Sequence, residues 1–291
     1  MKETNGIMTN DDELLDPKID FCFKQIFGNN ETNFINFTND ILKLEGNKKI
    51  EHATFINIEL PPDKDDDKES RLDVLATLTD KTTINIEIQC KNLRDFEKRS
   101  LYYFSKIYAS KIQKGDTYHA LTPVIVINIL NFKLFHDTEH FDSRLIIKDD
   151  LTNIQRMKDF EAYFFELPKL KENCYTHSSK REQWMSFLKN PQKENLRKLA
   201  MQNQGIARAV ESLEILSHDP NARIAYETRR KAIMDYESGL LASRLEGRLE
   251  GLVEGKIEAL VEVAKNLKSI GTPYDVITKV TGLSKEEIEK A

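Results

Sequence analysis

The sequence predicts a layered α/β fold followed by an all-helical C-terminal extension. Three features carry this expectation. Apolar spacing changes from a helical period to a period of two near residue 53. A single clear helical pattern then separates the third strand-like run from the fourth, as a crossover would. Beyond about residue 180 only helical spacing remains.

Residues 16–27 (DPKIDFCFKQIF) open on Asp-Pro, a helix-start signal, and place Ile19, Phe23, Ile26 and Phe27 at helical spacing. A second helix is expected over 31–44. Strands follow at 53–60, 71–79, 83–90 and 124–130, all rich in β-branched residues. Residues 95–114 form the intervening helix. The run 124–130 (VIVINIL) is almost continuously apolar, as suits a strand covered on both faces. Residues 144–147 and 162–167 extend the sheet. Helices are expected at 181–188, 192–201, 206–216 and 221–270. Two short capped ones follow Thr272 and Ser284, with Gly282 as the stop between them. The expected organisation is 1–175, 176–270 and 271–291.

With 40% hydrophobic and 31% charged residues, the chain can bury a sizeable core and has no disordered or fibrous bias. No apolar run approaches the roughly 20 residues that cross a bilayer. The opening 13 residues are polar and acidic, unlike a signal peptide, so no membrane partner and a cytoplasmic location are expected. Cys22, Cys90 and Cys174 are widely spaced and read as reduced thiols. A net charge of −5 argues against a bulk DNA coat and is silent about a nuclease. Any grip on DNA must come from basic groups around a local cleft.

The chemistry-bearing residues lie on the 71–79/83–90 hairpin. Leu72, Val74, Ala76 and Leu78 form one apolar face, and Ile84, Ile86 and Ile88 the other half of it. The two halves share a side only in one register, because a slip of one residue reverses every side chain. A three-residue turn, Thr79-Asp80-Lys81, gives that register: Leu72 with Ile88, Val74 with Ile86, Ala76 with Ile84. Asp73 then stands opposite Glu87, their Cβ atoms about 4.5–5.5 Å apart. Carboxylates so placed repel, and a divalent cation such as Mg²⁺ compensates. Gln89 would flank the metal. A solvated hairpin face also shows Asp, Glu and Gln, and spacing alone leaves that plainer reading open. On the next helix Leu101, Phe104, Tyr108 and Ile112 make one stripe. Arg99, Tyr103, Lys106 and Ser110 make the opposite one, basic and aromatic, which suits phosphate contact and equally an ordinary solvated face.

At 71–77 (RLDVLAT), 86–89 (IEIQ) and 96–106 (FEKRSLYYFSK) the chain resembles the PD-(D/E)XK nuclease family transposases, also called recombination-promoting nucleases. Residues 20–28 (DFCFKQIFG), the 123–132 strand and the Glu-Gly-rich C-terminal helix fit the same family. The resemblance implies a restriction-endonuclease-like core, a mixed sheet flanked by helices, that cleaves double-stranded DNA with Mg²⁺ or Mn²⁺. It makes Asp73 and Glu87 metal ligands, with the Ile88 carbonyl a third. Gln89 takes the place of the motif lysine and Leu72 that of the motif proline. The charge which that lysine would supply falls to Lys91, Lys24 or Arg99, with Lys24 favoured. Arg99, Tyr103 and Lys106 are the expected DNA contacts. A second possibility is a catalytically weak relative, an oligomeric DNA- or protein-binding module in which Gln89 marks lost chemistry.

Fainter signals remain. His136 and His140 are spaced for one helix face but sit in an expected loop. Residues 63–69 (DKDDDKE) read as a solvated loop. Gly247, Gly251 and Gly255 repeat beside a stripe of leucines, each about 1 kcal/mol less favourable in a helix than Ala. They point either to close helix–helix approach across a homodimer or to a loose helical extension.

Overall fold

The computed structural model describes residues 13–56, 59–60, 70–71, 73–92, 95–171 and 178–290. Residues 63–69, Leu72 and Cys174 therefore lie outside the described residues. The chain divides into two units, residues 1–229 and 230–291. No helix among the described residues is long and apolar enough to cross a membrane.

In the first unit, a short helix α1 (Asp20–Phe23) runs on through a π turn (Lys24–Gly28) and is followed by α2 (Glu31–Leu42). The helix expected from residue 16 thus starts later. Asp16 instead caps a turn, its Oδ1 accepting from the Lys18 N–H. The strand expected over 53–60 divides into β1 (Ala53–Phe55) and β2 (Glu59–Leu60). The next divides into β3 (Ser70–Arg71), paired with β2, and β4 (Val74–Leu78). β5 (Thr83–Gln89), α3 (Phe96–Ser110), β6 (Val124–Leu130), β7 (Asp142–Ile146) and β8 (Phe160–Glu166) complete a six-stranded sheet ordered β1-β4-β5-β6-β8-β7. β5, β6 and β8 are parallel and the remaining pairs antiparallel, so the sheet is mixed.

Helices α4 (Lys180–Lys189), α5 (Lys193–Gln202) and α6 (Gln204–His218) return to the sheet's first face. There Ile84, Ile86, Ile88, Ile127, Ile129 and Phe165 pack with an aromatic cluster from α1, α2 and α4. In that cluster Phe37 touches Phe27 and Trp184 with ring centroids 4.7 and 5.2 Å apart. Asp40 anchors its polar edge, accepting from Trp184 Nε1 at 3.0 Å and Asn203 Nδ2 at 3.1 Å. The second face is covered by α3, through Ile107 on Leu75, Val124 and Val126 and through Phe96 beside Leu130 and Phe164. β5 is therefore enclosed on both sides, and that decides the surroundings of the candidate site.

The second unit holds most of α7 (Pro220–Ser269), with α8 (Tyr274–Thr281) and α9 (Lys285–Lys290). The last two helices close on α7 through Ala264, Ile277, Leu283 and Ile288, with Gly282 in the left-handed conformation between them. Leu241, Leu245, Leu249 and Leu252 of α7 are exposed.

Phe37 is fully buried among aromatic neighbours, so truncation leaves a cavity that rigid rings cannot fill. Phe37→Ala is expected to cost about 3–5 kcal/mol in a chemical-denaturation measurement.

Candidate active site

The hairpin forms in the register that the apolar pattern requires. Val74 faces Ile86, Leu75 faces Asn85 and Ala76 faces Ile84. The turn is the three-residue one: Leu78 N–H donates to Thr82 O at 2.8 Å, and Lys81 takes a left-handed φ of 68°. Thr82 N–H to Asp80 Oδ1 at 2.9 Å completes it.

Asp73 lies one residue before β4, where the ladder stops. In this register the Ile88 N–H points toward β4, and it donates to Asp73 Oδ2 at 2.8 Å. The carboxylate thus takes over a backbone position at the point where the two strands part. This bond ties Asp73 to the strand segment that carries Glu87 and Gln89.

Glu87 is 2% exposed and Asn85 fully buried, so the hairpin's polar face is no solvated surface. α3 covers it. Asn85 Nδ2 donates to Glu87 Oε1 at 3.2 Å. Asn128, opposite Glu87 on β6, donates to Ser100 Oγ of α3 at 3.0 Å and to Tyr163 O at 3.1 Å. This buried polar layer runs beneath an otherwise apolar helix contact.

The face of α3 turned inward matches the expected apolar stripe at Phe104 and Tyr108, which pack with Ile107, and departs from it at Leu101. Leu101 is 54% exposed, whereas Phe96, Ser100 and Ile107 are buried and Arg99 and Tyr103 half-buried. Apolar character misled here because the sheet beneath this end of α3 is polar. Arg99 lies over the Phe96 ring at 4.7 Å and near that of Tyr103 at 5.8 Å, and its buried Nε has no hydrogen-bond partner among the described residues. An unpartnered buried donor is costly unless something else meets it.

Electrostatics bind these groups into one site. Burial pushes the Asp73 carboxyl up to about 7. The Ile88 N–H opposes this, Asp20 adds to it, and Arg229 and Arg99 counter it. Glu87 is held well above the usual carboxylate range, by burial first and by Asp73 second, with Asn85 and Arg99 opposing. Burial raises the Tyr103 phenol as well, helped by Glu87 and Asp73. Two facing carboxyls that both resist ionisation are the donor set that a divalent cation relieves. Among the described residues no three His, Cys, Asp or Glu side chains gather closely enough to hold a metal. A site of two carboxylates completed by water and substrate phosphate suits Mg²⁺ better than a closed protein cage.

The other expected residues are placed as follows. Gln89 is half-buried at the end of β5, and its carbonyl accepts from Asn131 N–H at 2.8 Å. Lys24 and Lys91 are exposed, and neither is among the charges bearing most on Asp73 or Glu87. Lys106 lies against the Tyr102 ring at 5.7 Å. His136 and His140 are exposed. Two residues were missed. Asp20 of α1 reaches the neighbourhood of Asp73, and Arg229 of α7 pairs with Asp20. Asp20 could have been found from its place in the motif-like 20–28 segment. Arg229 is 156 residues from Asp73 in sequence, and no local pattern marks it.

Neither the curated proteins nor the solved structures compared with the chain include a match. A family comparison does match, over residues 17–243, which takes in the sheet, α1 to α6 and the first part of α7. The mixed sheet between helices is the restriction-endonuclease-like architecture that the resemblance implied. The chain belongs to the PD-(D/E)XK nuclease family transposases.

Proposed function

We propose that this protein is a metal-dependent endonuclease that hydrolyses phosphodiester bonds in double-stranded DNA, in a cytoplasmic setting and in support of recombination. The observation that carries this is Glu87, buried beneath α3, set beside half-buried Asp73, with the charge of Arg99 bearing on both. Asp73 and Glu87 would hold the cation, Mg²⁺ or Mn²⁺, with the Ile88 carbonyl as a further oxygen donor. The bound cation would lower the pKa of a water and neutralise charge on the phosphate.

The chain's own residues supply the rest. Asn85 fixes the rotamer of Glu87 through Oε1, and the Ile88 N–H fixes Asp73 through Oδ2. Gln89 offers an amide that can orient the attacking water but carries no charge. Water oxygen forms the new bond to phosphorus and the bond to the leaving sugar oxygen breaks, so negative charge grows on the phosphoryl oxygens. Arg99 is the cation best placed to stabilise that charge, in the role expected of Lys24 or Lys91. Stacking on Phe96 and Tyr103 keeps its guanidinium oriented.

A second reading, a weak nuclease acting as an oligomeric binding module, is favoured by uncharged Gln89 and by the exposed leucines of α7, which suit a homodimer. Plasmid nicking separates the two. The nuclease reading expects Mg²⁺-dependent nicking that falls at least about 10²-fold in Asp73→Asn, Glu87→Gln and Arg99→Gln, since each removes several kcal/mol of charge stabilisation. Equal activity in wild type and all three variants overturns it.

Burial of Asp73 also has a thermodynamic signature. The unfolded carboxyl titrates near 3.9, the folded one at about 7. Between those values the native state binds more protons, so stability is full at low pH and is lost as pH rises through 7. Glu87 acts in the same direction. The metal-free protein should therefore melt at a lower temperature at pH 8 than at pH 5. Asp73→Asn should flatten the dependence, and added Mg²⁺ should raise the melting temperature more at pH 8.

A further inference from the structure

The net charge of −5 leaves open how an acidic protein would hold a polyanion beside three carboxylates. The two cationic side chains bearing most on Asp73 are Arg229 and Arg99. Arg99 is half-buried under the sheet contact, whereas the side chain of Arg229 is 52% exposed.

Although its side chain is exposed, Arg229 stands beside the packed stripe of α7. It follows Ala222 and Tyr226 at helical spacing, and both of these are buried. That stripe docks the start of α7 against the segment leading into α1. Arg223 Nη2 donates to Glu13 O at 2.8 Å, and the Tyr226 hydroxyl accepts from Asp16 N–H at 3.4 Å. The Leu15 N–H donates to Ser217 Oγ at 3.0 Å just before α7 begins. The backbone beneath Arg229 is therefore tied to the nuclease unit at several points. Its guanidinium is then fixed by Asp20, with Nε to Oδ1 at 2.9 Å and Nη2 to Oδ2 at 2.5 Å.

An isolated surface ion pair contributes little to stability, and stability alone is a poor account of this one. A guanidinium held along one edge is oriented without losing its charge, and its other edge can meet a phosphate oxygen. Lysine could not be held and still present a planar fork. Asp20 supplies the fixing, and the helix stripe supplies the place.

We propose that Arg229 is a substrate-binding residue that contacts a DNA backbone phosphate next to the Asp73–Glu87 site. This rests on the nuclease reading and names a contact which that reading does not require. Binding of a short labelled duplex by the full chain, in Ca²⁺ in place of Mg²⁺ and over a range of salt concentrations, tests it. Arg229→Ala is expected to weaken binding about tenfold and to reduce the salt slope by about one, because one phosphate contact is lost. Arg229→Lys should keep the salt slope while losing part of the affinity. A cooperative melting transition in both variants checks that the fold is retained. Unchanged duplex affinity and salt slope in Arg229→Ala overturns the proposal and makes Arg229 a counter-ion for Asp20 only. Lack of duplex binding by the wild type would overturn the nuclease reading and this contact together.

Discussion

Burial of two neighbouring carboxyls, Asp73 and Glu87, is the constraint around which the candidate site is arranged. Each carboxyl already resists ionisation because it is shielded from water. Together, with α3 closing over them, they form a pair that resists ionisation, and the surrounding groups read as responses to it. The Ile88 N–H and the Asn85 amide each give one carboxyl a hydrogen bond. Arg99 and Arg229 bring positive charge from two helices on different parts of the chain. Asp20 adds a third negative charge, so the compensation is partial by construction.

Enclosure of β5 on both faces makes that constraint strict. A carboxylate on an open sheet face would be solvated, and its neighbour would matter little. Beneath α3 the nearby dipoles are few and fixed, so every polar group there needs a named partner. Ser100 and Asn128 bond to one another, and Tyr163 O takes the second Asn128 proton. Asn85 Oδ1, Asn128 Oδ1 and Arg99 Nε have no partner among the described residues. A polar layer left partly unsatisfied beside a carboxylate pair fits a site that is completed by its ligand.

Much of this was legible in the sequence, and the divisions are instructive. The hairpin register followed from two apolar faces that had to coincide, a condition so restrictive that Asp73 and Glu87 could be placed together without coordinates. The helical C-terminal half was equally clear from its spacing. The inward face of α3 was not, because Leu101 looks like core and Arg99 does not. Burial there was decided by the polar residues of β5 and β6 beneath the helix. Spacing alone does not fix helix orientation, so it does not single out Arg99 over Lys24 as the charge nearest the carboxyls. Arg229 lay beyond reach altogether. A residue that joins a site from 156 positions away is selected by packing of α7 against the 13–20 segment, which leaves no local trace.

The turn at Thr79–Asp80–Lys81 has a consequence out of proportion to its size. Its residues touch no carboxylate, and most substitutions there would leave the chemistry alone. Its length is another matter. One residue more or fewer would shift β5 by half a pleat, sending Glu87 into the aromatic core and an isoleucine into the site. The left-handed Lys81 is the joint at which the count is kept. An innocuous surface loop is thus the ruler of the candidate site, and its length matters more than its chemistry.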